Sequence, residues 1–166
     1  VVSEDVARIP TGAHLVEAAS SPVVALKLLQ RWQQNRPPGL TGIIWYRLPV
    51  EGEKRNWSWP QLQAVIHGQT PEPRWEARLV PQAEGYENVV IDNTGNGDAL
   101  MPSTISLQTD KVLAFDGANG YNGREVEHGL IFSAANQKPL AAGGHASIGW
   151  VRRENLKGVY QLQPGL

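Results

Sequence analysis

The chain of 166 residues contains no cysteine. This absence excludes disulfide bonds, thiol nucleophiles, cysteine-ligated zinc sites and iron–sulfur clusters. Long hydrophobic runs are missing too, because no stretch approaches the roughly 20 apolar residues that a membrane-spanning helix needs. The opening residues, Val1 to Asp5, have neither the basic nor the apolar region of a signal peptide. We therefore expect no membrane span in this sequence and no signal peptide at its start.

An excess of charge of either sign is also missing. Fifteen Lys and Arg residues face sixteen Asp and Glu residues, which gives a formal net charge of -1. With no basic stripe to meet a phosphate backbone, the sequence predicts no nucleic-acid partner. What is present is typical of a folded protein: 41% hydrophobic residues, 19% charged residues and no low-complexity run.

The two halves of the chain differ in composition. Residues 1–73 contain helix signals, whereas residues 74–166 hold twelve of the seventeen glycines and short alternating apolar runs. Pro71 and Pro73 are separated by one residue and cannot lie inside a helix or a central strand, so they predict a linker. We therefore predict two units, a helix–strand–helix segment over residues 1–71 and a β-sandwich over residues 74–166.

The first half contains two capped helices around an apolar run. Ser21 offers an N-cap oxygen to a helix that runs to about Asn35. Ser58 and Gln61 have the spacing of a capping box and predict a second helix. Between the helices, the near-continuous apolar run at residues 40–49 is typical of a buried parallel strand. This order predicts the terminal αβα fragment of an α/β, barrel-like unit, which is too short to close a barrel alone.

The second half contains signals for strands. At its start, Trp75, Ala77 and Leu79 alternate with charged residues, as in a half-exposed antiparallel strand. Short apolar runs separated by Gly, Asn and Asp clusters favour an antiparallel β-sandwich. The predicted strands lie near residues 74–80, 88–92, 103–109, 111–116, 129–134, 146–152 and 158–163. The predicted fold class is α+β, and we expect Arg152 and Arg153 to end the sixth strand on a solvated face.

The tryptophan-rich part of the first half resembles a bacterial family of uncharacterised proteins, catalogued as a domain of unknown function. The resemblance rests on Gly42–Pro49, Asn56–Pro60 and Leu62–Gly68, with the Trp-Tyr-Arg-Leu-Pro block as its most specific feature, and it continues through Ile148–Arg152. It implies that the chain is the C-terminal part of a longer exported protein, periplasmic or extracellular. It also implies a barrel-like region upstream, reminiscent of glycoside hydrolases, as a partner within the same protein.

Trp45 and Arg47 are candidate ligand-binding residues. They lie two residues apart on the predicted strand, hence on one face, near the strand end where α/β folds place binding groups. A tryptophan face can stack on a sugar ring, and a guanidinium can bind hydroxyls or a carboxylate. The alternative is that Trp45 packs beneath a helix while Arg47 pairs with Glu51 or Glu53.

Polar loops offer further candidates. Asp92–Asp98 carries several oxygen ligands but does not match a calcium-binding EF-hand, and a hairpin or Asx turn is the alternative. Asp116–Gly123 has similar turn signals and presents Tyr121 as a candidate exposed platform for a ligand. Glu51 and Glu53 could form the carboxylate pair of a glycosidase, with a charged surface turn as the alternative.

The sequence identifies no catalytic group. The serines lack a nucleophile-elbow context, and the histidines show no metal-binding spacing, so we predict no metal site and no cofactor. The histidines are His14, His67, His128 and His145. The leading hypothesis is a carbohydrate-related protein in which Trp45 and Arg47 line a pocket completed upstream, so that this chain alone is not a competent enzyme. The rival hypothesis is a non-catalytic module that binds a glycan or a protein through Tyr121 and its loops.

Overall fold

The structure is a computed structural model that describes residues 20–46, 48–50, 56–82, 85–109, 111–155 and 160–165. These residues form mostly β structure with two short helices, neither of which is long and apolar enough to cross a bilayer. The helices are α1 (Pro22–Gln34) and α2 (Trp59–Ile66). The strands are β1 (Trp75–Pro81), β2 (Glu87–Asn93), β3 (Ala99–Leu100), β4 (Thr104–Thr109), β5 (Val112–Gly117), β6 (Tyr121–Val126), β7 (Gly129–Ala134), β8 (Pro139–Leu140), β9 (His145–Arg153) and β10 (Tyr160–Gly165).

Helix α1 begins and ends where the sequence predicts. The Ser21 hydroxyl accepts a hydrogen bond from the Val24 N–H at 3.4 Å, and a proline fills the first turn, where its missing N–H leaves no bond unmade. The Asn35 N–H donates to the Arg31 carbonyl at the C-cap. Within α1 the buried residue is Leu26, and the other apolar side chains of the helix are only partly covered or exposed.

Helix α2 also begins at its predicted cap. The Ser58 hydroxyl accepts a hydrogen bond from the Gln61 N–H at 3.3 Å. The residues that α2 buries are Gln61, Leu62, Ala64 and Val65. Trp59 and Ile66, at the two ends of the helix, are 48% and 40% exposed. The helix is in contact with α1.

The strand predicted at residues 40–49 is wrong. Residues 40–46 and 48–50, the described part of that run, form no strand. Ile44 and Tyr46 are 94% and 95% exposed, the opposite of the expected burial. A parallel strand needs hydrogen-bonded neighbours and apolar cover on both faces, and the described residues supply neither.

The strands form two four-stranded antiparallel sheets and one two-stranded sheet in the described chain. The first sheet has the order β1-β2-β9-β5, the second has the order β10-β4-β7-β6, and β3 pairs with β8. Each of the predicted strands is present, with its ends within about two residues of the prediction. The sequence missed the short strands β3 and β8 and, more importantly, β6.

One hydrophobic core receives side chains from both large sheets. Its fully buried members include Val89, Ile91 and Ile148 from the first sheet and Ile105, Leu130 and Phe132 from the second. A side chain at position 149 of β9 would clash with Phe132, because its Cβ would lie 2.6 Å from Cε1 of the ring. Glycine at this position allows the backbone to pack directly against the ring. Burying a phenylalanine in this way stabilises the fold by about 1.5–3 kcal/mol.

Arg153 is buried, so the expected solvated face at this position is wrong. Val151 and Arg153 point inward on β9, whereas Arg152 between them is exposed, as strand alternation requires. The Arg153 guanidinium donates to both carboxylate oxygens of Glu87 on β2, at 2.7 and 2.9 Å. This bidentate pair satisfies two charges that would be costly to bury singly.

Residues 71–74 lie against the loop that follows β2. The Glu72 carbonyl accepts hydrogen bonds from the N–H groups of Asn96 and Gly97, at 3.0 and 3.1 Å. A Cβ at Gly95 would lie 2.3 Å from the same carbonyl oxygen, so the two segments cross in close contact. The proline segment is therefore packed against the β region, which comprises strands β1 to β10 and the described loops between them. The domain boundary near this segment stays a prediction.

Asp98, in the same loop, connects α2 to the β region. Its carboxylate accepts one hydrogen bond from the Ser58 N–H and another from the Ala142 N–H, each at 2.8 Å. The Asp98 N–H donates to the side-chain oxygen of Gln61, also at 2.8 Å. Two of these hydrogen bonds fix the start of α2 to Asp98, and the third joins Asp98 to the loop that follows β8.

Candidate ligand-binding face

The outer face of the first sheet carries exposed polar and aromatic side chains. Asn88 of β2 is the cross-strand partner of Trp150 on β9. Arg152 of β9 is in turn the partner of Ala114 on β5. Because Val151 is fully buried, the alternation along β9 directs Trp150 and Arg152 to the opposite, outer face.

Tyr86 and Trp150 form an aromatic pair on this face. Their ring centroids are 5.9 Å apart and the rings meet edge-on at 68°, an arrangement that aromatic pairs favour. Both side chains are partly exposed. Gly85 has a φ of 74°, a conformation that favours glycine, and this turn leads the chain through Tyr86 into β2. The pair therefore combines a fixed geometry with ring surface that a ligand can reach.

A hollow of about 390 Å³ lies beside the aromatic pair. Its lining residues are Tyr86, Asn88, Ala114, Trp150 and Arg152. This volume is within the range of small-molecule sites in proteins. The rings supply apolar surface, while the amide of Asn88 and the guanidinium of Arg152 supply hydrogen-bonding groups. The small side chain of Ala114 adds little bulk between them.

The hollow carries one positive charge. Arg152 is the charged residue among its lining residues, and it has no ion-pair partner in the part of the chain that the structure describes. Elsewhere on the same face, Arg78 donates to both oxygens of Asp92 at 2.7 and 3.1 Å. That hydrogen bonding raises the pKa of Arg78 above its ordinary value. The charge at Arg78 is therefore matched within the protein, whereas the charge at Arg152 faces solvent.

Trp45 lies in a second, more apolar groove. The groove has a volume of about 370 Å³ between α1 and the segment after it. Its lining residues are Leu29, Trp32, Gln33, Arg36, Leu40, Gly42, Ile43, Trp45 and Ile66, which include no carboxylate. The Trp45 ring centroid is 6.4 Å from that of Trp57, at 51°. Arg47 lies outside the described residues, so the joint role predicted for Trp45 and Arg47 stays a prediction.

Tyr121 is buried, and the exposed platform predicted at this position is wrong. The side chain is 3% exposed in strand β6, where Tyr121 pairs with Ala134 of β7. Its hydroxyl donates to the Pro102 carbonyl, and burial raises the pKa of Tyr121. The turn between β5 and β6 occupies only residues 118–120, so the residue that follows it already faces the core.

The oxygens of the loop Asp92–Asp98 are bound by the protein itself. The Asn93 side-chain oxygen accepts hydrogen bonds from the Arg74 and Gly95 N–H groups, each at 3.2 Å, while its amide donates to the Gly97 carbonyl at 2.9 Å. The carboxylates at the two ends of the loop bind Arg78 and backbone N–H groups, as described above. The loop therefore holds neighbouring segments together, in keeping with the turn interpretation.

Those of the remaining candidates that the structure describes do not converge on one site. Glu51, Glu53 and His14 lie outside the described residues. His67 caps α2, His128 is exposed in the turn between β6 and β7, and His145 is exposed at the start of β9. Over the ranges that the structure describes, no group of three or more histidine or acidic side chains is placed to hold a metal ion.

Sequence reasoning missed the aromatic pair because its members are distant in sequence. The strand predicted at residues 146–152 already implies that Trp150 and Arg152 share a face. No local pattern indicates that Tyr86 will join them, because that contact depends on the pairing of β2 with β9. The sequence therefore indicated Trp150 and Arg152 but not Tyr86.

Comparison with known proteins points to the same part of the chain. No curated protein and no solved structure matches the chain significantly. Residues 76–154 match a family model, and this range includes all the residues that line the hollow beside Trp150. The part of the chain that carries the candidate site is thus similar to the family described as a domain of unknown function (DUF8456).

Proposed function

We propose that the β region is a non-catalytic binding module that recognises a carbohydrate at the Tyr86–Trp150 face. The observation that carries this proposal is the partly exposed edge-on pair of rings beside the amide of Asn88 and the guanidinium of Arg152. A sugar ring has an apolar C–H face that can pack on an aromatic ring and hydroxyls that need planar hydrogen-bonding partners. The hollow supplies both kinds of group.

The wider setting of this module is proposed from the resemblance of the tryptophan-rich segment. On this proposal the chain is the C-terminal part of an exported bacterial protein, periplasmic or extracellular, with a glycoside-hydrolase-like barrel upstream. The two large sheets act as an accessory β-sandwich, and the helical region, which comprises α1, α2 and the described residues between them, packs against the barrel. The exposed apolar side chains of Ile44, Tyr46 and Leu48 support this proposal, because a neighbouring layer would cover them.

Calorimetric titration of the chain with a panel of neutral and acidic oligosaccharides tests the binding function. We expect at least one of them to bind, and we expect Trp150→Ala to weaken that binding about thirtyfold, as loss of a central aromatic contact of about 2 kcal/mol does. Trp59→Ala is the matched control, because Trp59 is 48% exposed on α2 and does not line the hollow.

Two results would overturn the proposal. One is the absence of binding to every oligosaccharide in the panel by the folded protein. The other is a binding event that Trp150→Ala and Trp59→Ala affect equally, because the ligand would then lie elsewhere. A circular dichroism spectrum and a thermal melt of each variant establish that the fold is retained.

A further inference from the structure

The charge of the hollow specifies the kind of sugar, provided that the proposed carbohydrate-binding function holds. We infer that the ligand carries a carboxylate, as a uronic acid does, and that Arg152 binds this carboxylate while the sugar ring packs on Trp150.

Other cations around this sheet are matched by carboxylates of the protein. Arg153 is paired with Glu87 in the core, and Arg78 is paired with Asp92 on the outer face. At the end of β9, Lys111 binds Glu154 at 3.1 Å. Within the described residues Arg152 stands apart from this pattern, because no carboxylate lies within ion-pair distance of it.

The acidic residues closest to Arg152 in sequence and register are engaged elsewhere. Glu154, two residues away on the chain, binds Lys111. Asp116 is the cross-strand partner of Trp150, and one of its oxygens accepts the Gly117 N–H at 2.7 Å. Asp116 does not line the hollow. The partner of Arg152 itself is Ala114, which has neither charge nor length to compete for the guanidinium.

The spacing on β9 suits a hexuronate. Trp150 and Arg152 are alternate residues on one face, which places their attachment points roughly 7 Å apart. A pyranose ring over the indole would therefore extend a carboxylate from its edge toward the guanidinium. Arginine binds a carboxylate through two parallel N–H groups, which fixes orientation as well as charge. The amide of Asn88, directly across from Trp150, remains available for a ring hydroxyl.

The test pairs each acidic ligand with a neutral copy of itself. Oligogalacturonate, oligoglucuronate and oligomannuronate are titrated into the full chain, each beside its methyl ester, which keeps the sugar ring and removes the charge. We expect at least one acid to bind tenfold or more tightly than its ester. We also expect the preference to shrink as salt is raised, because the pair is solvent-exposed.

Variants assign that preference to Arg152. Arg152→Gln should abolish the difference between acid and ester while leaving ester binding nearly unchanged. Arg124→Gln is the matched control, since Arg124 is exposed on β6 of the other sheet and should leave the difference intact.

The outcomes separate this inference from the proposed function. If acid and ester bind equally, or Arg152→Gln leaves the preference unchanged, the inference is overturned while dependence on Trp150 still supports a carbohydrate site. If neutral sugars bind and no uronate does, the inference also fails. If no saccharide binds at all, both proposals fail together.

Discussion

The β region buries its large apolar side chains, whereas the helical region leaves several of its own exposed. In the β region, Val89, Ile105 and Phe132 are fully buried between the two sheets. In the segment between the helices, Ile44 and Tyr46 are 94% and 95% exposed. The β region therefore has a complete core within the described residues, whereas the helical region has apolar surface that these residues leave uncovered. Such a surface commonly marks a site of interaction with another layer or partner.

The largest effect should come from emptying the core of the β region. We expect Phe132→Ala to lower the free energy of unfolding by about 3–5 kcal/mol, because a buried ring is replaced by a cavity. Ile44→Ala, in the exposed segment, should change it by less than about 0.5 kcal/mol. Denaturant unfolding followed by circular dichroism compares the two variants. Equal losses would show that the two regions do not differ in packing.

The junction between the regions should give the next largest effect. Asp98→Ala removes the acceptor of the Ser58 and Ala142 N–H groups, and we expect a loss of about 1–3 kcal/mol from leaving such groups unsatisfied. Amide hydrogen exchange should accelerate more in α2 than in β2 or β9, because the hydrogen bonds that hold the start of α2 are lost.

Asp98→Asn is the graded control for this junction, because it keeps one acceptor oxygen and should fall between the wild type and Asp98→Ala. An equal acceleration of exchange in α2 and in the sheets would contradict the localised role of Asp98. In that case the two regions would open together, and they would differ in packing alone.

The buried hydroxyl of Tyr121 makes the stability of the β region depend on pH, and this dependence provides a test of its core. Burial raises the folded-state pKa of Tyr121, and the unfolded value is about 10. The contribution of Tyr121 to the free energy of unfolding is therefore fully present below about pH 10. It is lost as the pH rises through the folded-state pKa. We expect Tyr121→Phe to cost about 1 kcal/mol at neutral pH, by loss of the bond to Pro102, and to have a flatter alkaline decline. Denaturant melts from pH 8 to 11 measure both effects, and an unchanged alkaline slope would contradict the burial of the hydroxyl.

Features set by neighbouring residues could be predicted from the sequence. The start of each helix follows from a hydroxyl that caps it, Ser21 or Ser58, and both positions are confirmed. The strand at Trp75 follows from simple alternation and is also confirmed. The run at residues 40–49 was predicted wrongly because an apolar sequence makes a strand only where other strands pair with it.

Features set by distant residues could not be predicted in the same way. The residues from Asp116 to Gly123 are typical of a turn, so the sequence predicts Tyr121 in an exposed loop. In the structure β6 begins at Tyr121, and its side chain faces the core. Arg153 was predicted exposed because its partner, Glu87, lies on a different strand. The meeting of Tyr86 with Trp150 likewise required the β2–β9 register. Each error concerns a partner that local sequence does not identify.

A small effect should come from Trp59, an aromatic residue of the helical region that can be compared with a buried aromatic residue of the β region. A tryptophan in a closed core costs about 3–5 kcal/mol to truncate. Trp59 is 48% exposed at the start of α2, so we expect Trp59→Ala to lower the free energy of unfolding by about 1 kcal/mol. Denaturant unfolding of this chain measures the change, with Phe132→Ala as the buried reference. A loss as large as that of Phe132→Ala would mean that the helical region covers its aromatic residues as fully as the sheets do, and the contrast between the regions would then disappear.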